Sequence, residues 1–333
     1  MNQRILFLAI TSTMVLSACG GGGGSAGNTA PSPVQTSSLT PITAANSKQA
    51  AANGFAANDL IGSSSTSITG VLTGVSIDTP GISAVAPVLK LVKRATGTPL
   101  LTGVTTNQAC TGGGTVTLDA NLSSAQKFSN GDTMSLTAHN CIEDGNTLNG
   151  NVSITIGNVS GDLMNTWIGS VTMDTRFTGF SIVNGTESAT VNGDMKIGLT
   201  STSQSSQSLS ISGNSLQTTE QRSGAAAVNM TLSAYSLTGS VNGSTVSAAA
   251  NFTVAGNANG LGQFAYTVKN LQPFVGTTTG MPSSGAMIVN GAASSVTVTA
   301  LNSSSVRLDY SAKGDGVITQ TTTLSWAEFV AAM

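Results

Sequence analysis

The sequence predicts a mainly β protein: an antiparallel meander of many hairpins, forming a sandwich or a curved half-barrel sheet, with a few short helices. Three observations carry that expectation. From Thr115 onward apolar residues alternate with Ser, Thr and Asn; Asn-Gly and Asp-Gly pairs recur between the alternating runs; and charged residues are only 8% of the chain. A period of two places successive side chains on opposite faces of a strand. A sheet patterned in this way packs on one face and meets water on the other.

The period-two runs follow in order as Val116/Leu118, Met134/Leu136, Val152/Ile154/Ile156, Val228/Met230/Leu232, Val246/Ala248/Ala250/Phe252/Val254, Val296/Val298 and Val306/Leu308. Asn130-Gly131, Asn149-Gly150, Asn184-Gly185, Asn192-Gly193, Asn242-Gly243, Asn259-Gly260 and Asn290-Gly291 fall among them, with Asp144-Gly145 and Asp315-Gly316. Such pairs accept the positive φ of type I′ turns, so each predicts a hairpin. Phe180-Ser181-Ile182 before Val191-Asn192-Gly193 is echoed by Tyr235-Ser236-Leu237 before Val241-Asn242-Gly243. The gaps differ, which reads as hairpins converging on one solution rather than as a solenoid.

Helices are few. Thr43 is placed to cap an Ala-rich helix from Ala44 to Ala52, ending at Asn53-Gly54. After a strand-like stretch from Ile68 to Ile77 and the break at Pro80-Gly81, Ser83 opens a second helix. Val85, Val88, Leu89 and Val92 recur there at helical spacing, and Lys90, Lys93 and Arg94 cluster at its end. Those cations complement the helix dipole, which favours a helix packed on the sheet over one lying on anionic lipid. Ser325-Trp326-Ala327-Glu328 is a capping box, predicting a last short helix with Trp326, Phe329 and Val330 apolar.

At the start of the chain, Arg4 precedes an apolar stretch from Ile5 to Ile10 and Met14-Val15-Leu16, too short for a membrane span and shaped like a signal peptide. Leu16-Ser17-Ala18-Cys19, followed by Gly20 to Gly24, resembles the lipobox of bacterial lipoproteins. The resemblance implies a lipoprotein signal peptide over 1–18, a diacylglyceryl group on Cys19, and an acylated new amino terminus. Two or more acyl chains anchor stably where a single chain binds a bilayer only marginally. Gly20, rather than Asp, after the cysteine implies the outer membrane in that family. An ordinary secretory signal cut near Ala18 would instead leave Cys19 as a free thiol.

Residues 19–42 are rich in Gly, Ser, Thr and Pro and read as a tether spanning roughly 25 Å as a coil. Residues 43–333 read as a single β-rich domain with N-terminal helices, with a subdivision near 205–225 as the alternative. The body also resembles, loosely, uncharacterised Ser/Thr/Gly-rich lipoproteins of proteobacteria, from which no residue-level function carries over.

An exported chain meets an oxidising compartment, so the even pair Cys110 and Cys141 predicts a disulfide. It would stabilise by roughly 3 to 4 kcal/mol through loop closure. A metal site is disfavoured, because the spacing is wrong and His139 is the chain's one histidine. No cofactor motif appears.

With 12 Lys and Arg against 14 Asp and Glu, the net charge is −2. No basic stripe exists to neutralise phosphates, which excludes a nucleic-acid binder. No catalytic set emerges. Ser124 and Lys127 form Ser-x-x-Lys without the companion motifs of penicillin-binding proteins. Asp309 to Gly316 keeps Asp and Gly of a calcium loop but sets Lys313 where a carboxylate should coordinate, so a hairpin turn is expected. Aromatic girdles are lacking, which argues against a membrane-spanning barrel. The expected function is a non-catalytic envelope lipoprotein, held to the membrane through Cys19, whose β body serves adhesion or envelope assembly through a protein partner. The alternatives are a carrier of a hydrophobic ligand or lipid, with a curved sheet cupping an acyl chain, and a hydrolase working through Ser124.

Overall fold

A computed structural model describes residues 38–55, 103–124, 128–143, 145–162, 168–203, 205–221, 223–224, 227–258, 261–277 and 280–332. Cys19, Lys127, the strand expected over 68–77 and the helix expected after Ser83 lie outside them. Ser37 to Met333 form one compact unit.

Among the described residues, fourteen strands form a single sheet in strict sequence order. They are β1 (Val104–Ala109), β2 (Thr115–Asn121), β3 (Thr133–Glu143), β4 (Asn146–Asp162), β5 (Ile168–Asn184), β6 (Glu187–Ser203) and β7 (Ser206–Gln221), then β8 (Val228–Asn242), β9 (Thr245–Ala258), β10 (Gly262–Thr277), β11 (Ser284–Gly291), β12 (Ser294–Asn302), β13 (Ser305–Ser311) and β14 (Gln320–Ser325). Every adjacent pair is antiparallel, and the meander does not close. The expected β class holds, as one open sheet in place of a sandwich. β7 crosses residues 206–221 without leaving that sheet.

Each predicted alternating run lies on a strand, and its apolar members are buried except for Val228, Met230, Val246 and Ala248, which are half-buried. In β2 the buried positions are Val116, Leu118 and Ala120, and in β4 they include Val152, Ile154 and Ile156. The other face carries Ser, Thr and Asn. That polarity is the reverse of a membrane-spanning barrel, whose outward face is apolar.

The turn reading needs one correction. Gly185 and Gly243 open the β5–β6 and β8–β9 turns, but Asn149-Gly150 and Asn192-Gly193 lie inside β4 and β6. There the pair faces a β-bulge on the neighbouring strand: His139 and Asn140 of β3 stand against Asn149, and Thr178 and Gly179 of β5 against Asn192, with φ of 47° at Asn140 and 57° at Gly179. A Cβ on Gly150 or Gly193 would run into the carbonyl of Gly179 or Ser215 on the adjoining strand. Register shifts recur at neighbouring places across β3 to β10, forming a seam.

A bulge frees a backbone N–H, and a side chain from the next strand takes it. Asn140 N donates to Asn149 Oδ1 at 2.8 Å, Gly179 N to Asn192 Oδ1 at 2.6 Å, and Ala250 N to Asn270 Oδ1 at 2.8 Å. Asp194 accepts from Asn214 N and Ser215 N at 3.0 and 3.2 Å. The pair Asn-Gly thus serves two local structures, and only its position relative to the strand ends separates them.

The same seam explains the faint repeat. Phe180 follows Gly179 (φ 57°) and Tyr235 follows Ala234 (φ 46°); both aromatics are buried directly after a bulge. Bulge geometry, not hairpin geometry, is what repeats.

Among the described residues, two short helices complete the body: α1 (47–55) and α2 (Trp326–Val330). Thr43 and Asn46 exchange reciprocal bonds ahead of α1, Asn46 N to Thr43 Oγ1 at 3.3 Å and Thr43 N to Asn46 Oδ1 at 2.7 Å. Contrary to expectation, α1 runs through Asn53-Gly54. A Cβ on Gly54 would sit 2.8 Å from Val289 Cγ2, so glycine is there for close packing on the sheet and not to stop the helix. The expected capping box of α2 is complete, Ser325 and Glu328 each accepting from the other's backbone N–H.

Candidate functional site

The features with chemical potential gather at the two ends of the strands. At one end stand the β1–β2, β3–β4, β5–β6, β7–β8, β9–β10, β11–β12 and β13–β14 connections; at the other stand the alternate ones and α2.

At the first end, Cys110 follows β1 and Cys141 lies in β3, their sulfurs 1.97 Å apart and their α-carbons 5.3 Å apart. The pair spans the β1–β2 turn and ties the edge hairpin to the third strand. Gly112 N donates to Ile142 O and Ile142 N to Gly113 O, both at 2.9 Å, so the turn adds rungs beside β3. Glu143 lies close to both sulfurs, but its carboxylate accepts from Thr111 N and Thr111 Oγ1 at 3.0 and 2.9 Å. Bonded sulfurs are poor metal ligands, and this acid is a turn residue. His139 is exposed on β3.

Ser124 follows the loop that buried Asp132 organises by accepting from Ser123 N, Ser123 Oγ and Ser129 N. Its suggested partner Lys127 lies outside the described residues. Asp309 accepts from Arg307 Nε and Thr321 Oγ1, both at 2.8 Å, while Asp315 accepts from Val317 N at 3.0 Å and Ser311 Oγ at 3.3 Å. The two carboxylates therefore serve strand pairing and the turn separately, as the hairpin reading expects.

The segment 38–42, assigned by sequence to the tether, is built into the body. Thr40 N donates to Ala265 O at 2.9 Å, Ala265 N to Thr40 Oγ1 at 2.9 Å, and Ala292 N to Thr40 O at 3.1 Å. Ile42 N donates to Ser294 Oγ at 2.7 Å, and the Tyr310 hydroxyl donates to Ile42 O at 3.0 Å. Thr40 thus continues the ladder beside β10 where β11 has ended. Those pairings have sequence separations above 200 residues, which no local pattern encodes.

At the opposite end, the rings of Phe55, Phe274, Trp326 and Phe329 form a cluster with centroids 5.4 to 5.7 Å apart. Trp326 Nε1 donates to Asn302 O at 3.0 Å, and Gln49 of α1 bonds Ala332 O beyond α2. Through these contacts α1 and α2 together plug this end of the sheet.

Two buried tyrosines differ in their hydrogen bonding. Tyr235 donates to Asp194 O beneath Gly213, and burial, then the charge of Asp194, pushes its pKa up. Tyr266, stacked on Phe264, is fully buried, and its hydroxyl has no hydrogen-bond partner. Burial pushes its pKa up as well. Alternation marks both as inward, but nothing in the sequence distinguishes the satisfied hydroxyl from the orphaned one.

No family model, no curated protein and no solved structure matches this chain.

Proposed function

We propose that this chain is a lipid-anchored protein of the bacterial outer membrane whose β body is a non-catalytic interaction or structural module. The observation that carries the reading is the cysteine inventory. Cys110 and Cys141 lie at bonding distance, which leaves Cys19, directly after Leu16-Ser17-Ala18, as the remaining cysteine. An unpaired thiol at that position finds its use in acylation. The hydroxyl- and amide-covered face, nearly free of charge, and the edges β1 and β14, which among the described residues pair on one side only, support contact with a protein partner by face or by strand addition. The catalytic alternative loses force because Ser124 stands in a turn organised by Asp132.

Cys19→Ala should move the protein from the membrane to the soluble fraction of cells, and mass spectrometry of the parent's amino-terminal peptide should show the diacylglyceryl adduct. Membrane association that survives the substitution would refute the anchor. Protease shaving of intact cells, followed by crosslinking and pull-down, then separates a surface role from a periplasmic one.

One observation favours the carrier as a second reading. The Tyr266 hydroxyl is a donor without an acceptor inside an apolar face, and such groups commonly meet a ligand or water. Native mass spectrometry of membrane-purified protein should then show a lipid held apart from the anchor and lost in Tyr266→Phe. If the hydroxyl has no ligand, Tyr266→Phe is neutral or slightly stabilising, since it removes an unpaired polar atom.

A further inference from the structure

Among the large apolar residues of the described chain, the most exposed is Val317, at 63%, and Ile318 beside it stands at 47%. No other two of those residues that neighbour in sequence share that property. Both belong to the 312–319 loop between β13 and β14, in which every residue is exposed. The loop has a fixed base: Thr319 N donates to Tyr310 O at 2.8 Å, and Val317 N to Asp315 Oδ1 at 3.0 Å. Exposed apolar residues scattered singly need no explanation, but an adjacent pair at the tip of a built loop does.

The position of the pair supplies one. Ile42 is bonded to Ser294 and to Tyr310, the residue that closes the loop base. Gly314 packs on the same turn, where a Cβ would lie 3.1 Å from Ser294 N. Ile42, near the start of the described chain, therefore lies beside the base of the loop that carries Val317 and Ile318. The 19 residues from Cys19 to Ser37, taken as a Gly/Ser/Pro-rich coil, span about 25 Å. The opposite ends of β4 to β7 lie about 50 Å away along strands of that length.

Resting on the anchor reading above, we propose that the 312–319 loop is a membrane-contact loop, placing Val317 and Ile318 in the headgroup region and orienting the anchored body with its β11–β12 and β13–β14 turns toward the bilayer. Lys313 and Asp315 cancel in charge, and Glu143, Glu187 and Glu220 stand at the same ends of more distant strands. A zwitterionic surface therefore suits this end better than an anionic one.

The test couples the chain from Cys19 onward, which contains the whole compact unit, through its Cys19 thiol to phosphatidylcholine vesicles bearing maleimide headgroups. Amide hydrogen exchange is compared with the same protein capped by N-ethylmaleimide and mixed with plain vesicles. Exchange across 312–319 should slow severalfold on coupling, while the 243–244 and 303–304 turns at the opposite end stay unchanged. Val317→Ser with Ile318→Ser should abolish that protection without altering the melting temperature. Equal exchange in both states, or protection of the opposite turns, overturns the proposal. Because the coupling is chemical, the result does not depend on native acylation of Cys19, whose failure the fractionation experiment reads separately.

Discussion

Strands β4 to β9 run 14 to 17 residues and change register within their length, whereas β11 to β14 run 6 to 9 residues and keep register with one another apart from one shift near Ala300. Both regions bury one apolar face of the same sheet, by different means. Long strands twist, and a bulge bends them so that the apolar face can turn in on itself. The short strands lie against α1, α2 and the 38–42 segment, which cover the face directly. Bending costs backbone hydrogen bonds, restored by Asn and Asp side chains; covering costs nothing in the ladder but requires aromatic residues. The aromatic cluster and the asparagine seam accordingly meet in β10, which carries both Phe274 and Asn270.

The sharpest way to break this comparison is Phe329→Ala. Phe329 is fully buried in the aromatic cluster, and truncation should cost about 3 to 5 kcal/mol in denaturant melts. Lost exchange protection should concentrate in α1, α2 and β10 to β14. Equal loss throughout β4 to β9 would mean that the long strands also depend on the plug.

Replacing both Cys110 and Cys141 by Ser should cost roughly 3 to 4 kcal/mol, since the bond closes a loop across the first three strands. Its effect should appear as fraying of β1 and β2 by amide exchange, with β11 to β14 unchanged. Protection lost first at β14 would reverse the assignment.

Within the seam, Gly213→Ala sets a Cβ against the Tyr235 hydroxyl oxygen and 2.6 Å from Asp194 O. Overpacking of that kind costs about 1 to 3 kcal/mol. Tyr235→Leu removes one of the two collisions, so the double variant should be less destabilised than the sum of the singles. Strict additivity in denaturant melts would show that the ring and the glycine do not form a unit.

The difference between the regions also governs what could be read in the sequence. Alternation at Val152/Ile154/Ile156 or Val296/Val298 identifies strand and buried face, because burial of one face is a local, periodic demand. The capping boxes of α1 and α2 are equally local. Asn149-Gly150 and Asn192-Gly193 misled because a turn and the strand facing a bulge both call for glycine, the first for its φ and the second also for the close approach of the neighbouring backbone, and the outcome depends on where the neighbouring strands end. The latch of Thr40 and Ile42 onto Ala265, Ala292, Ser294 and Tyr310 was illegible, as its partners lie more than 200 residues away. The disulfide pair was legible from an even count of two cysteines beyond Cys19; the orphaned Tyr266 hydroxyl was not, since tyrosine at an inward position reads the same with or without an acceptor.

The smallest expected effect concerns the plug alone. Hydrogen bonds from the Ser325 backbone N–H, then from its hydroxyl, hold the Glu328 carboxyl below the usual carboxylate range. A carboxyl lowered on folding adds stability that is fully present above its ordinary value and is lost as pH falls through its lower folded value. Ser325→Ala should cost about 1 kcal/mol near neutrality, because it removes the acceptor for the Glu328 N–H. The gap between parent and variant should narrow in acid, when protonated Glu328 no longer attracts the Ser325 donors. Glu328→Gln should flatten that part of the pH dependence. The protection of the α2 amides, relative to their intrinsic exchange rate at each pH, should fall in acid in the parent while that of the seam strands β4 to β9 does not; a parallel fall in both regions would show that they are not covered independently.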